Sequence, residues 1–234
     1  MNGSSRIARL RRRPALVVSE KRGVRQLHLG GEAIQSAMRL DDPYALALDY
    51  TCCMMAFLLF LPEPRDALMI GLGGGSLAKF FHRSFPRART RVIERDERVI
   101  AAARGHFHLP PDDARLKVEH GDGVEALEPE CCDLLVVDGY EDGSTPAALV
   151  SQAFFDAAWA ALGEPGALVM NFMDDEPDLD RNVQRIERAF GGAVLCLPAL
   201  RDPNIIVFAL KGAPSNIAWH TLRARAEQLE RRHG

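Results

Sequence analysis

The sequence predicts an α/β protein: a seven-stranded, mostly parallel sheet with helices on both faces and a terminal antiparallel hairpin. Three observations carry that prediction. From residue 67 onward, apolar runs of strand length alternate with stretches of helix length. The first run, Ala67-Leu-Met-Ile-Gly-Leu-Gly-Gly-Gly-Ser76, breaks into four glycines within five positions, as a buried strand does when it turns into a helix. The last two runs are separated only by Pro198 to Pro203, too short a link for a crossover helix, so they must pair antiparallel.

Taken in order, residues 1–14 form a basic tail, Arg6-Ile-Ala-Arg-Leu-Arg-Arg-Arg13, expected to be flexible. Residues 15–40 form a small β element: strands at 15–18 and 25–29 flank the turn Glu20-Lys-Arg-Gly23, and Gly30-Gly31 turns the chain again before 33–36. Residues 41–234 form a Rossmann-like, nucleoside-binding domain. It opens with Asp41-Asp42-Pro43 as a helix start, predicting a helix from Tyr44 to about Phe60 that ends before Pro62 and Pro64. Strands follow at 67–71, 90–94, 115–119, 133–138, 166–172, 193–197 and 204–210. Helices are expected at 76–84, 96–105, 123–127, 151–162 and 178–190, with a last amphipathic helix over 217–232.

Composition excludes several function classes. The formal net charge of -3 over 234 residues argues against a broad basic surface for nucleic acid. The longest apolar stretch, Cys52 to Leu61, is about half of a membrane span, and the N-terminus lacks the apolar core of a signal peptide. Cys52, Cys53, Cys131, Cys132 and Cys196 are an odd set of five without a C-x-x-C. Buried, reduced thiols in a cytoplasmic protein are therefore expected, rather than a disulfide framework or zinc site. His106 and His108, at i and i+2, likewise suggest no metal.

In an open parallel sheet, ligands bind beyond the carboxyl ends of the strands. Gly71, Gly73 and Gly75 let the backbone take positive φ and let a ligand approach the main chain. Glu94 closes the next strand roughly 20 residues on, where a carboxylate can accept from a ribose diol. Asp122, in His120-Gly-Asp-Gly123, can accept from an exocyclic adenine amine. Asp138 ends the apolar run Leu134-Leu-Val-Val137, positioned as a base or cation clamp. Asn171 and Asp174 follow the next strand. Glu141 and Asp142 after Asp138, with Asp174-Asp-Glu176, make two acidic loops that would favour a cationic ligand. Ser76 and Ser144 lie outside any G-x-S-x-G elbow, and the G-x-G-x-G spacing departs from the dinucleotide fingerprint.

These motifs, in this order, resemble the spermidine synthase (polyamine aminopropyltransferase) family. The similarity covers about Val17 to Lys211 and rests on Ile70-Gly-Leu-Gly-Gly-Gly75, Val92-Ile-Glu-Arg-Asp96, Gly121-Asp-Gly123 and Asp133-Leu-Leu-Val-Val-Asp138. Upstream, Leu27-His-Leu-Gly-Gly-Glu-Ala-Ile-Gln35 is similar to a β-hairpin ending in a ligand-contacting glutamine. The resemblance implies a methyltransferase-like fold and transfer of an aminopropyl group from decarboxylated S-adenosylmethionine to an amine such as putrescine. The sulfonium would be a co-substrate, with no tightly bound cofactor and no metal. It implies Gln35 and Glu94 as nucleoside contacts, Asp122 at the adenine, and Asp138 as the base. Asp49, Tyr50, Tyr140, Glu141 and Asp174 are the candidates for holding the amine. A homodimer is expected by the same analogy. Gly74 stands where the family carries an aspartate. That substitution leaves open an S-adenosylmethionine-dependent methyltransferase, or a nucleoside-binding protein that has lost catalysis.

Overall fold

The structure, a computed structural model, describes residues 14–31, 33–140, 144–212 and 217–233. Residues 1–13 of the basic tail, together with Glu141 and Asp142, lie outside the described residues. Three strands, β1 (Leu16–Lys21), β2 (Val24–Leu29) and β3 (Ile34–Arg39), form an antiparallel sheet in the order β1-β2-β3. The expected hairpin thus gains a full third strand. Its first turn has Arg22 and Gly23 both at positive φ, 52° and 77°, the mirror-image turn whose twist suits a two-residue hairpin.

The main sheet runs β6-β5-β4-β7-β8-β10-β9, built from β4 (Asp66–Ile70), β5 (Arg89–Glu94), β6 (Leu116–His120), β7 (Cys132–Val137), β8 (Leu162–Met173), β9 (Val194–Pro198) and β10 (Asn204–Lys211). β10 is antiparallel to β9, as the short Pro198–Pro203 link requires, and also to β8. Strand order reverses between β4 and β7, so the switch-point crevice lies between the loops that leave them.

One face of the sheet buries Met69, Val92, Val136, Val169 and Ile206 against the N-terminal sheet, α1 (Asp49–Met54), α2 (Ser76–Ser84) and α3 (Glu97–His106). The other buries Ile70, Val137, Met170 and Val207 against α4 (Gln152–Ala161) and α5 (Leu179–Phe190). A last helix, α6 (Trp219–His233), reaches the first face through Leu229. No helix among the described residues is long and apolar enough to cross a membrane.

Two expected helices are corrected. The 44–60 helix is reduced to α1 and a 3-10 turn over 55–59. Asp42 does not start it, because its carboxylate closes a local turn on Tyr44 N–H (3.1 Å) and pairs with Arg83 (2.8 Å). The chain then passes through a turn at 43–44 and a bend at 45 before Leu48, which is extended at φ −104°, ψ 139°. The helix start is set instead by Asp202, 152 residues away, whose Oδ2 accepts from Tyr50 N–H at 3.0 Å. In place of the expected 123–127 helix, residues 123–126 form turns, with Asp122 Oδ1 accepting from Val124 N–H at 2.8 Å, which satisfies the backbone locally. The thiols also differ from expectation. All five cysteines are free, but only Cys132 is buried, while Cys52 and Cys196 are exposed.

Helix α2 follows the glycine loop and carries Lys79, fully buried, whose Nζ donates to the Phe107 carbonyl at 2.7 Å. Phe107 is the residue that terminates α3, so the ammonium sits at the negative end of a helix dipole. The Phe107 ring covers Gly74: a Cβ there would lie 2.8 Å from Phe107 Cδ1 and 2.9 Å from Ser36 Oγ. The N-terminal sheet closes the same contact, since Ser76 Oγ donates to the Ala37 carbonyl of β3 at 3.2 Å.

Two outcomes are expected. Gly74→Ala, facing an aromatic ring and a buried hydroxyl, should lower stability by about 1–3 kcal/mol, read by urea denaturation; combining it with Phe107→Leu should recover part of the loss. Burial pulls Lys79 down to about 8, so between that pH and the ordinary lysine value the unfolded chain binds more protons than the folded one. Stability carried by this residue therefore rises with pH, by about 2 kcal/mol from pH 7.5 to 10, and the rise should be missing in Lys79→Met.

Candidate active site

Asp138, the residue after β7, is the centre of the site. Its backbone N–H donates to the Ile70 carbonyl at 2.9 Å, binding the end of β7 to the end of β4. The approach is so close that a Cβ on Gly71, at φ 96°, would lie 2.1 Å from the Asp138 carbonyl oxygen. Only glycine fits there.

The Asp138 side chain receives two donors from distant elements. Tyr50 Oη, on α1, donates to Oδ2 at 3.2 Å, and Asn171 Nδ2, on β8, donates to Oδ1 at 2.8 Å. Asn171 is 3% exposed, and β7–β8 register explains the contact: Val137 pairs with Met170, so the next position sets Asp138 beside Asn171. Burial pushes the Asp138 carboxyl above the usual range, and these hydrogen bonds oppose the rise. Tyr50 is pushed well above the ordinary phenol value by its own burial first, then by the adjacent carboxylate.

Glu94, at the end of β5, is half-buried and bound through both oxygens. Oε2 accepts from Leu72 N–H in the glycine loop and Oε1 from Asp96 N–H, each at 2.9 Å. Desolvation raises its pKa against those bonds. A carboxylate has about four acceptor positions, so capacity for a diol remains. The loop after β6 folds back onto β4, where a Cβ on Gly123 would lie 2.3 Å from Ile70 Cγ2. It carries Asp122, which is exposed. Gln35 is half-buried on β3, and its carbonyl lies 3.8 Å from where a Cβ on Gly73 would stand. Gly75, at φ 72°, precedes α2.

The remaining candidates separate. Asp49 Oδ2 accepts from the backbone N–H groups of Leu200 (2.8 Å) and Arg201 (3.1 Å), fastening α1 to the β9–β10 loop. Tyr140 has its hydroxyl buried and, among the described residues, without a well-formed hydrogen bond; Thr145 and the Asp138 carboxylate are close enough to act on it. Asp174 is exposed, and its backbone N–H donates to the Pro203 carbonyl at 3.0 Å. Glu176 does not project freely from its acidic loop; its Oε2 accepts from the Thr145 hydroxyl at 3.2 Å. Glu141 lies outside the described residues.

Sequence reasoning missed Asp202 and Asn204. Asn204 is 7% exposed and donates to Asn171 Oδ1 at 3.0 Å. It opens the expected 204–210 strand, but nothing in the local pattern marks an asparagine after Pro203 as part of a site. Two open grooves of about 340 and 330 Å3 lie elsewhere, at the amino ends of the strands near Arg89, Arg91 and Asp133. The carboxylates gather at the opposite rim, where an open parallel sheet binds ligands. Among the described residues, no group of three or more His, Cys, Asp and Glu side chains could hold a metal ion.

No protein-family model matches the chain. A polyamine aminopropyltransferase of Chromobacterium violaceum is 37% identical over 223 residues, covering 94% of this chain and 85% of that protein. The fold is similar to that of a probable spermidine synthase from Corynebacterium glutamicum, with TM-score 0.73 and 19% identity over 92% of this chain and 83% of that one. It is also similar to human methyltransferase-like protein 13 in complex with SAH, with TM-score 0.70 and 26% identity over 79% of this chain and 92% of that one. With its aligned length and identity to the first of these, the chain belongs to the polyamine aminopropyltransferase family, a family of transferases.

Proposed function

We propose that the chain transfers an aminopropyl group from decarboxylated S-adenosylmethionine to a small amine such as putrescine, with Asp138 as the base. The observation that carries the reading is a half-buried carboxylate at the switch point, hydrogen-bonded by Tyr50 and Asn171, in a chain of this family. Glu94 would accept the ribose hydroxyls, Asp122 the adenine amine, and the backbone of Gly71, Gly73 and Gly75 would border the nucleoside, with Gln35 above it. Tyr50, Tyr140 and Asp174 would border the amine, and Asp49 would act on it indirectly by holding α1. Glu141 belongs to the same proposal.

The chemistry follows from charge. An amine attacks carbon only as the free base, so its lone pair forms the new N–C bond while the C–S bond breaks. The electron pair returns to sulfur, which leaves as neutral methylthioadenosine. The nitrogen's surplus proton passes to the Asp138 carboxylate. A base held above the usual carboxylate range by burial is better matched to that proton than an exposed aspartate. Fixing the two reactants in line supplies the rest of the rate.

A second reading, methyl transfer from S-adenosylmethionine, is favoured by two observations. Gly74 is packed against Phe107 and Ser36, so the glycine loop holds no carboxylate to select a ligand's ammonium, and the 26%-identical human neighbour is in complex with SAH.

Purified protein should form methylthioadenosine from decarboxylated S-adenosylmethionine and putrescine. Tighter binding of intact S-adenosylmethionine in calorimetry, with no product from several amines, would overturn the reading. Asp138→Asn should cut turnover about 10²–10⁴-fold while methylthioadenosine still binds. Glu94→Gln must turn an amide NH2 toward Leu72 or Asp96 N–H; nucleoside affinity should fall at least about tenfold, with a loss of about 1–3 kcal/mol in stability.

A further inference from the structure

We propose that Asn204, acting through Asn171, is a positioning residue that fixes the direction of hydrogen bonding at Asp138 and keeps that carboxyl group an acceptor. The inference rests on Asp138 being the functional base, but it concerns a residue that does not touch the substrate.

An asparagine amide can face either way, presenting a donor or an acceptor. Asn171 has an acceptor role at one end and a donor role at the other. Its Oδ1 accepts from Asn204 Nδ2 at 3.0 Å, and its Nδ2 donates to Asp138 Oδ1 at 2.8 Å. Were Asn171 reversed, two acceptors would meet at Asp138 unless the carboxyl took up a proton. What prevents reversal lies one strand further on. Asn204 Nδ2 also donates to the thioether Sδ of Met173 at 3.5 Å. A thioether has no proton to give, so it holds the NH2 of Asn204 on that side. The NH2 of Asn204 thus donates to two acceptors, Met173 and Asn171, and from Asn204 onward this relay of donation runs one way, through Asn171 to the Asp138 carboxylate.

The antiparallel strand makes this possible. Asn204 is the first residue of β10 and pairs with Met173, the last of β8. Because β10 runs against β8, its beginning reaches the rim where the parallel strands end. Residues 171 and 173 share a face of β8, and residue 204 lies opposite on the same face. Asn171 and Asn204 are both buried, so an unpaired amide in either would find no compensating water.

Among the described residues, the titratable groups that act around Asp138 are acids. Tyr50 faces it from α1 and Tyr140 from the loop after β7; Asp202 acts on Tyr50, and Glu176 on Tyr140. Their charge cannot favour an ionised Asp138. That leaves neutral donors to oppose the effect of burial, and the relay supplies one of the two.

The test compares the full-length parent with Asn204→Leu, which keeps approximate volume and removes the donor. The side-chain carboxyl of Asp138 is titrated by 13C NMR, assigned with Asp138→Asn, and the pH profile of aminopropyl transfer is measured in parallel. Without the relay, the Asp138 titration should move up by about one unit. Since the base works when deprotonated, the acid limb of the profile should move up with it. Activity below that limb should fall about tenfold, with most of the high-pH plateau retained. An unmoved titration with an equal loss of activity at every pH would mean a purely structural role and would overturn the inference. If Asn204→Leu does not fold, Met173→Leu removes the acceptor that anchors the direction; a smaller upward shift supports the relay, and no shift refutes it. Should the parent transfer no aminopropyl group, the proposed function falls, while the NMR titration still decides the role of Asn204.

Discussion

The structure of the site depends on satisfying one half-buried carboxylate, that of Asp138. An unpaired ionised group in a protein interior costs several kcal/mol, and Asp138 stands at the end of a strand whose last four residues, Leu134 to Val137, are buried. Its partners come from α1 and β8, 88 and 33 residues away. Each partner is itself held in place. Tyr50 sits in the first turn of a helix that supplies no side-chain cap of its own; Asp202 caps that helix from the β9–β10 loop, and Asp49 returns the contact by accepting from Leu200 and Arg201. The loop thus fixes α1, α1 fixes Tyr50, and Tyr50 fixes one oxygen of Asp138.

The glycine loop obeys a different constraint, close packing. Gly71 admits the Asp138 carbonyl, and Gly74 is covered by Phe107 and Ser36. Position 74 is therefore filled by its neighbours rather than vacant. A larger residue there would need Phe107 to move, and Phe107 is held by its carbonyl bond to the buried Lys79. Substituted positions in a family are often compensated by packing of this kind, and here the compensation joins α2, α3 and the N-terminal sheet.

Much of the fold was legible. The glycine break, the alternation after residue 67 and the short Pro198–Pro203 link each reflect a local rule, and the strands fall within a few residues of where those rules set them. The failures come where another partner takes the group a local rule relies on. Asp42-Pro43 has the chemistry of a helix cap, but Arg83 takes the Asp42 carboxylate and the helix begins later. The 123–127 stretch is too short to hold a helix once Asp122 satisfies the backbone of its own turn. Of the candidate site residues, the strand-end positions Glu94, Asp122 and Asp138 could be named because a parallel sheet sends its strand ends to one rim. Asp202 and Asn204 could not, since each acts on a group in another part of the chain.

The sequence by itself determined the architecture and the chemical types at the rim. Hydrophobic periodicity and turn chemistry act over a few residues, and those are written in the order of the amino acids. The tertiary structure alone decided which groups pair: that Tyr50 and Asn171 meet on Asp138, that Asn204 stands behind Asn171, and that Asp49 serves the loop. Those choices follow from strand order and register, with β10 running antiparallel between β8 and β9. A hydrogen bond responds to separation and angle in space, and neither is encoded by distance along the chain.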